Sequence, residues 1–193
     1  MKLAALALAL GLVSPAFAAA PLSVDFEQDW VYGTAVGNTY AADGVTFTNV
    51  LGLSNNDGLG NLANGDYYAG APSPMGVAYV QFDGADTAYM NVNAGVTGGL
   101  SFFYAGTDTA AIKAYSGLNG TGTLLGTVTL SSTGGFDSWK KTALFFGGTA
   151  QSFDLSSTNG IAALDNISAV PEPTSVALML AGGALLLARR RRA

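Results

Sequence analysis

The sequence predicts an all-β fold, a sandwich of two packed sheets, and three observations carry that prediction. Short runs of alternating apolar and polar residues recur through the middle of the chain. Gly, Asn, Asp and Ser fill the gaps between them, as turns require. No stretch ahead of the C-terminal tail repeats its apolar residues at helical spacing.

Taken in order, strands are expected at 24–27, 45–48, 77–82, 88–92, 100–104, 111–115, 122–130, 139–146, 152–155 and 161–167. The alternation is clearest in "GTLLGTVTL", where Leu124, Gly126, Val128 and Leu130 share one face and threonines fill most of the other. "GVTFTN" does the same, with Val45 and Phe47 set against Thr46 and Thr48. "LNGTG" at 118–122 supplies a tight turn between two strands. Strands of this number and brevity in one chain suit a sandwich.

Composition bounds the chemistry. The chain has no His and no Cys, which excludes Ser-His-Asp and Cys-His catalysis, the usual zinc ligands and disulfide stapling. It shows neither a phosphate loop nor a dinucleotide-binding glycine pattern in strand-to-helix context. A glycosidase needs two carboxyl groups in paired roles, yet the region between the two termini has a single glutamate, Glu27. No catalytic residues are assigned.

The first residues read as a secretory signal peptide, 1–18. Lys2 precedes an apolar run over 3–13, and Ala16 and Ala18 form a small-residue cleavage pattern. At the other end, residues 174–188 are uncharged, and Arg189, Arg190, Arg191 and Arg192 follow. A helix over 174–188 would cover about 22 Å of a hydrocarbon core roughly 30 Å thick, and snorkelling arginines would lengthen it. Positive charge then holds the cytoplasmic side, with the remainder exported. Without Glu172, Lys2 and the four arginines, the 13 acidic residues become 12 and the 8 basic residues become 3, so the exported domain carries about −9. Such a charge argues against a nucleic-acid partner.

The tail "VPEPTSVALMLAGGALLLARRRRA" resembles the PEP-CTERM sorting signal of Gram-negative bacteria, which is sometimes also labelled an ice-binding protein C-terminal domain. The resemblance covers 170–193, with Pro171, Glu172 and Pro173 as its recognition motif, a transmembrane segment at 174–188 and the arginine cluster at 189–192. It implies an exosortase as partner, an inner-membrane intermediate, removal of the anchor, and delivery to the cell surface or exopolysaccharide matrix. The alternative is a single-span anchor that stays uncut.

Residues 19–169 form the expected ectodomain. The order of "VDFEQ", "IKAYSGLNGTGTLLGTVTL", "FDSWKKTALFFGGTAQSFDL" and "IAALDNI" resembles the jelly-roll, galactose-binding-like ectodomains found among PEP-CTERM proteins. In many carbohydrate-binding jelly rolls a first-strand acidic residue and a last-strand Asp hold a structural calcium ion. The matching positions are Glu27 and Asp165, with Asp25 as an equal acidic partner.

A physical argument accompanies this resemblance. If Ile161, Ala163 and Ile167 face the core, Asp165 shares their face, and an inward carboxylate must be paired, hydrogen-bonded or bound to a cation. If Leu164 points inward instead, Asp165 is left to hydrogen-bond a loop.

The polar stretch 53–74 is the other candidate site. Asp57, Asp66, Tyr67 and Tyr68 could meet a sugar, the tyrosines offering a flat apolar face with a hydroxyl. Equally, its Asn and Gly serve turns while its tyrosines cover a sandwich edge. Two roles stay open for the domain: a glycan-binding module, with or without calcium, and a structural surface protein that acts by self-association.

Overall fold

The computed structural model describes residues 22–31, 33–54, 68, 70–81 and 86–170. Nine strands run through them: β1 (Ser23–Val24), β2 (Val45–Thr48), β3 (Leu51–Ser54), β4 (Gly76–Tyr79), β5 (Tyr89–Gly106), β6 (Ala110–Tyr115), β7 (Leu124–Leu130), β8 (Gly135–Asp154) and β9 (Ala162–Val170). Two short 3-10 turns, Ala41–Asp43 and Ser156–Thr158, are the helical elements among the described residues. None of the described helices is long and apolar enough to cross a membrane. The signal peptide 1–18, the Pro171–Pro173 motif, segment 174–188 and Arg189–Arg192 lie outside the described residues, as do Asp57, Asp66 and Tyr67.

The strands join in the order β3-β4-β9-β5-β8-β6-β7, with β1 on β9 and β2 on β5, and every pairing is antiparallel. The long strands β5 and β8 belong to both halves of this sheet. The first half of β5 pairs with β2 and with the end of β8, while its second half pairs with β9 and with the start of β8. The two halves close over one main core. Met90, Val45, Phe153, Ile112 and Leu130 come from one side, and Leu100, Phe102, Leu144, Leu164 and Ile167 from the other.

The sequence divides β5 and β8 where the structure does not. Glycines read as turn residues are bulges instead: Gly95 and Gly98 carry φ of 75° and 83°, and the β5–β8 register shifts between Asn91 and Val96 and again between Thr97 and Gly99. A bulge bends a strand without ending it, so one chain segment can serve both layers. β3 forms within a stretch expected to be a loop from residue 53 onward.

A bulge also overturns one face assignment. Tyr115 pairs with Leu124 while the adjacent Ala114 pairs with Gly126. Leu125 is therefore extra, and the alternation breaks before Gly126. Leu130 is buried and Val128 packs against the core as expected, but Leu124 is 50% exposed.

Candidate ligand-binding face and acidic corner

The second half of the sheet has an outer face, away from the main core. Residues that pair across antiparallel strands share a face, so Phe145, Ala143 and Lys141 of β8 stand beside Gly99, Ser101 and Phe103 of β5. On the far side of β5, Val170 pairs with Gly99 and Ser168 with Ser101. One end of this face is covered. Tyr68 and segment 70–76 lie over it, and Tyr68, Ala71, Leu53, Val77, Tyr79, Ala163, Phe136 and Trp139 form a small second cluster there. The other end is open, with Phe145 64% exposed.

Tyr68 belongs to the covered end. Its ring is 7% exposed and meets Tyr79 and Phe136 edge-on, at centroid distances of 6.4 and 5.7 Å. A stacking platform needs a free ring face, so Tyr68 is a packing residue that seals the sheet and offers no surface to a sugar.

Asp165 is buried for the same reason. In β9, Ser101 pairs with Ser168 and Phe103 with Asp165, leaving Asn166 and Ile167 together opposite Phe102. Asn166 takes φ 49°, a left-handed conformation that asparagine tolerates. This bulge lets Leu164 and Ile167 both enter the main core, while Ala163 and Asp165 face outward beneath the 70–76 segment. Of the two readings of this strand, the one in which Leu164 points inward and Asp165 hydrogen-bonds a loop holds, and the one in which Asp165 shares the face of Ile167 does not. A covering segment buries this carboxylate on the side away from the main core.

Its partners are specific. Asp165 Oδ2 accepts the Ser73 N–H at 2.9 Å, and Oδ1 accepts the Asn166 N–H at 2.7 Å and lies 2.6 Å from Ser73 Oγ. Ser73 Oγ also donates to the Asp25 carbonyl at 2.9 Å. Glu27 Oε1 accepts the N–H groups of Met75 and Gly76 at 2.8 and 3.0 Å, and Asp25 Oδ1 accepts the Glu27 N–H at 3.2 Å. Segment 73–76 thus holds the carboxylates of Asp165 and Glu27 and the backbone carbonyl of Asp25 in one corner.

The backbone there is strained. Phe26, between Asp25 and Glu27, has φ 58°, which a bulky residue adopts at a cost of about 1–2 kcal/mol. Its ring, 0% exposed and edge-on to Tyr40 and Phe47, and its carbonyl, which accepts the Trp30 indole N–H at 2.8 Å, hold it in place.

Burial pushes the Asp165 carboxyl up from 3.8 to about 6; Ser73 and Asn166 pull it down, and the charge of Glu27 adds to the rise. Burial, with the charge of Asp25 next, also drives the Tyr40 hydroxyl up. Calcium requires six to eight oxygen ligands. Here N–H donors hold both oxygens of Asp165 and Oε1 of Glu27, one N–H reaches Oδ1 of Asp25, and the described residues hold no group of three or more acidic, His or Cys side chains able to bind a metal. As arranged, these residues do not fit a calcium ion.

The open end of the face was legible in two dipeptides and was missed. In a strand, consecutive side chains point to opposite faces, so "FF" at 102–103 and at 145–146 must send one ring outward each time. Phe102 is buried while Phe103 stands outward under Lys141 Nζ, 5.4 Å from its centroid. Phe145 projects beside them, its ring edge within 2.9 Å of where a Cβ on Gly99 would stand. Nothing in the sequence pointed to Ser73.

No family model matches the chain, and no curated protein matches it. Among solved structures, it is similar to a glycoside hydrolase family 43 arabinoxylan arabinofuranohydrolase from Bacillus subtilis (17% identity, 55% of this chain and 24% of that one, TM-score 0.41). It is also similar to the module CsCBM6-3 from Clostridium stercorarium in complex with cellobiose (16% identity, 78% and 94%, TM-score 0.44). A CBM35 from Paenibacillus barcinonensis gives 18% identity, 78% and 99% coverage, and a TM-score of 0.43. These are distant likenesses, and none of them transfers a ligand to this chain.

Proposed function

We propose that this chain is an exported, non-enzymatic protein of the cell envelope or exopolysaccharide matrix, that it binds glycan on the open end of its outer sheet face, and that an exosortase processes its C-terminal segment. The observation that carries the binding role is Phe145. Its ring is 64% exposed on the same sheet face as Phe103, and the apolar face of a sugar ring suits such an aromatic surface. Phe103 lies four residues along the partner strand from Gly99, about 13 Å away at 3.3 Å per residue. The two rings could therefore meet well-separated sugar units of one glycan chain. Lys141 and the hydroxyls of Ser101 and Ser168, themselves 2.9 Å apart, supply polar contacts between and beside them.

Glu27 is a poor candidate for acid-base chemistry, because two backbone N–H groups hold its carboxylate. Export is supported by the ends of the sandwich. Ser23 pairs with Ser168, and the Ala169 N–H donates to the Leu22 carbonyl at 3.0 Å, so both termini leave the fold side by side. Both addresses could then be removed without unthreading a strand.

The test is binding of the full chain to exopolysaccharide from its host, compared with Phe145→Ala. Loss of at least tenfold in affinity by the variant supports the reading, and equal retention of both proteins refutes it. Sorting has its own test: intact mass with and without the exosortase. A species ending near Pro171–Pro173 that disappears with the enzyme supports processing, and an uncut form in both strains overturns it.

A further inference from the structure

The two ends of the strand path, β3 and β7, are finished differently. At β3, Ala35 bridges to Leu51, the Gly52 N–H donates to the Thr34 carbonyl at 3.0 Å, and the Trp30 ring lies against Gly52. That edge is covered. At the opposite end of the strand path, β7 pairs with β6 alone among the described residues.

The direction of the free groups on β7 can be worked out. The Ala111 N–H donates to Ser157 Oγ, away from β7, so Ala110, Ile112 and Ala114 are the β6 residues that turn their backbone groups toward it. Their partners are Leu130, Val128 and Gly126. Thr127 and Thr129 therefore aim their N–H and C=O groups outward, and both residues are exposed. Natural edges are usually guarded by charge, proline or a covering segment. This one carries none of them, since residues 114–136 contain no charged residue and no proline.

We propose that Thr127–Thr129 is a self-association edge, through which two copies of this chain pair antiparallel about a two-fold axis at Val128. The sequence Thr-Val-Thr reads the same in both directions. An antiparallel two-fold therefore sets Thr127 opposite the partner's Thr129 and Val128 opposite the partner's Val128. The outward groups of each Thr pair exchange both N–H···O=C bonds, and β-branched residues favour such cross-strand contact. Charge selects this edge over the rest of the surface. The domain is strongly acidic, so most faces of two copies repel, whereas the approach along 114–136 brings no like charges together. The pairing uses the outward backbone groups of β7, whereas the glycan face is built from side chains of β5 and β8; the two are neighbours, since the Phe145 carbonyl lies against Gly126 of β7.

The test is sedimentation equilibrium of the full chain in detergent micelles over a range of concentrations. Thr129→Lys charges the edge, Thr127→Pro removes an outward N–H without touching the β6 ladder, and Thr129→Ser keeps the backbone groups. Wild type and Thr129→Ser are expected to dimerise, with the dissociation constant at least tenfold weaker in Thr129→Lys and Thr127→Pro. If Thr127→Pro does not fold, Thr129→Lys decides alone. Wild type that remains monomeric overturns the proposal. So does Thr129→Lys associating as tightly as wild type, which would assign the contact to the apolar tail or another surface.

Discussion

Ser73 closes over Asp165: its Oγ lies 2.6 Å from Asp165 Oδ1 and, on its other side, 2.9 Å from the carbonyl of Asp25. A hydroxyl has one hydrogen to give, and both neighbours are acceptors when Asp165 is ionised. A proton on Asp165 resolves the conflict, since the carboxyl then donates to Ser73 and Ser73 donates to Asp25. The raised pKa of Asp165 agrees with this count.

The pH dependence follows from that proton. With the folded pKa near 6 and the unfolded one near 3.8, the folded state binds the proton more tightly between those values. Stability is greatest below about pH 4, falls as pH rises to 6, and is then level as far as Asp165 is concerned, a loss of about 2–3 kcal/mol. Urea unfolding of wild type and Asp165→Asn from pH 4 to 7 checks this. The variant is expected to lose the slope, and a parallel slope in both proteins would assign it to another group.

Calcium at millimolar concentration is expected to leave the thermal midpoint unchanged, because backbone N–H donors already hold the carboxyl groups of Asp165 and Glu27. A midpoint that rises with calcium, and no longer does so in Asp165→Asn, would mean that the cation displaces the Ser73 donors.

Gly76 faces the strained turn. A Cβ there would collide with the Phe26 carbonyl, and that backbone is pinned by the Trp30 indole N–H. Gly76→Ala should therefore cost about 2–3 kcal/mol in urea unfolding, as overpacking does. Gly134, around which a Cβ meets nothing, shows what its backbone alone requires: φ is 94°, and alanine there should cost about 1 kcal/mol.

The turn after β6 is tied to the sheet by a reciprocal pair. Asn91 Nδ2 donates to Asn119 Oδ1 at 2.7 Å and the Asn119 N–H donates to Asn91 Oδ1 at 2.8 Å, while Ser152 Oγ donates to the Gly117 carbonyl and accepts the Gly120 N–H. Asn119 also sits at φ 54°. Asn91→Ala and Asn119→Ala should each cost about 1–2 kcal/mol, with a coupling of at least about 0.5 kcal/mol in the double-mutant cycle. Additive effects would show that the two side chains act separately.

The sequence by itself determined the all-β class and most strand positions, because alternation at period two is a local property that a face-buried strand must display. Val45 and Phe47 pack inward as read, and so does Leu130. It left two environments open for Asp165, an inward carboxylate needing a partner or cation and a carboxylate hydrogen-bonded to a loop. Tertiary structure alone decided that the partner is Ser73, 92 residues away in sequence. It likewise decided that Tyr68 seals one end of the outer face while Phe145 is left open, and that β7 keeps a bare edge while β3 is covered. These outcomes depend on bulges at Gly95, Leu125 and Asn166 and on where Tyr68 and segment 70–76 lie. A bulge reverses which face every following residue occupies, and local composition does not announce it.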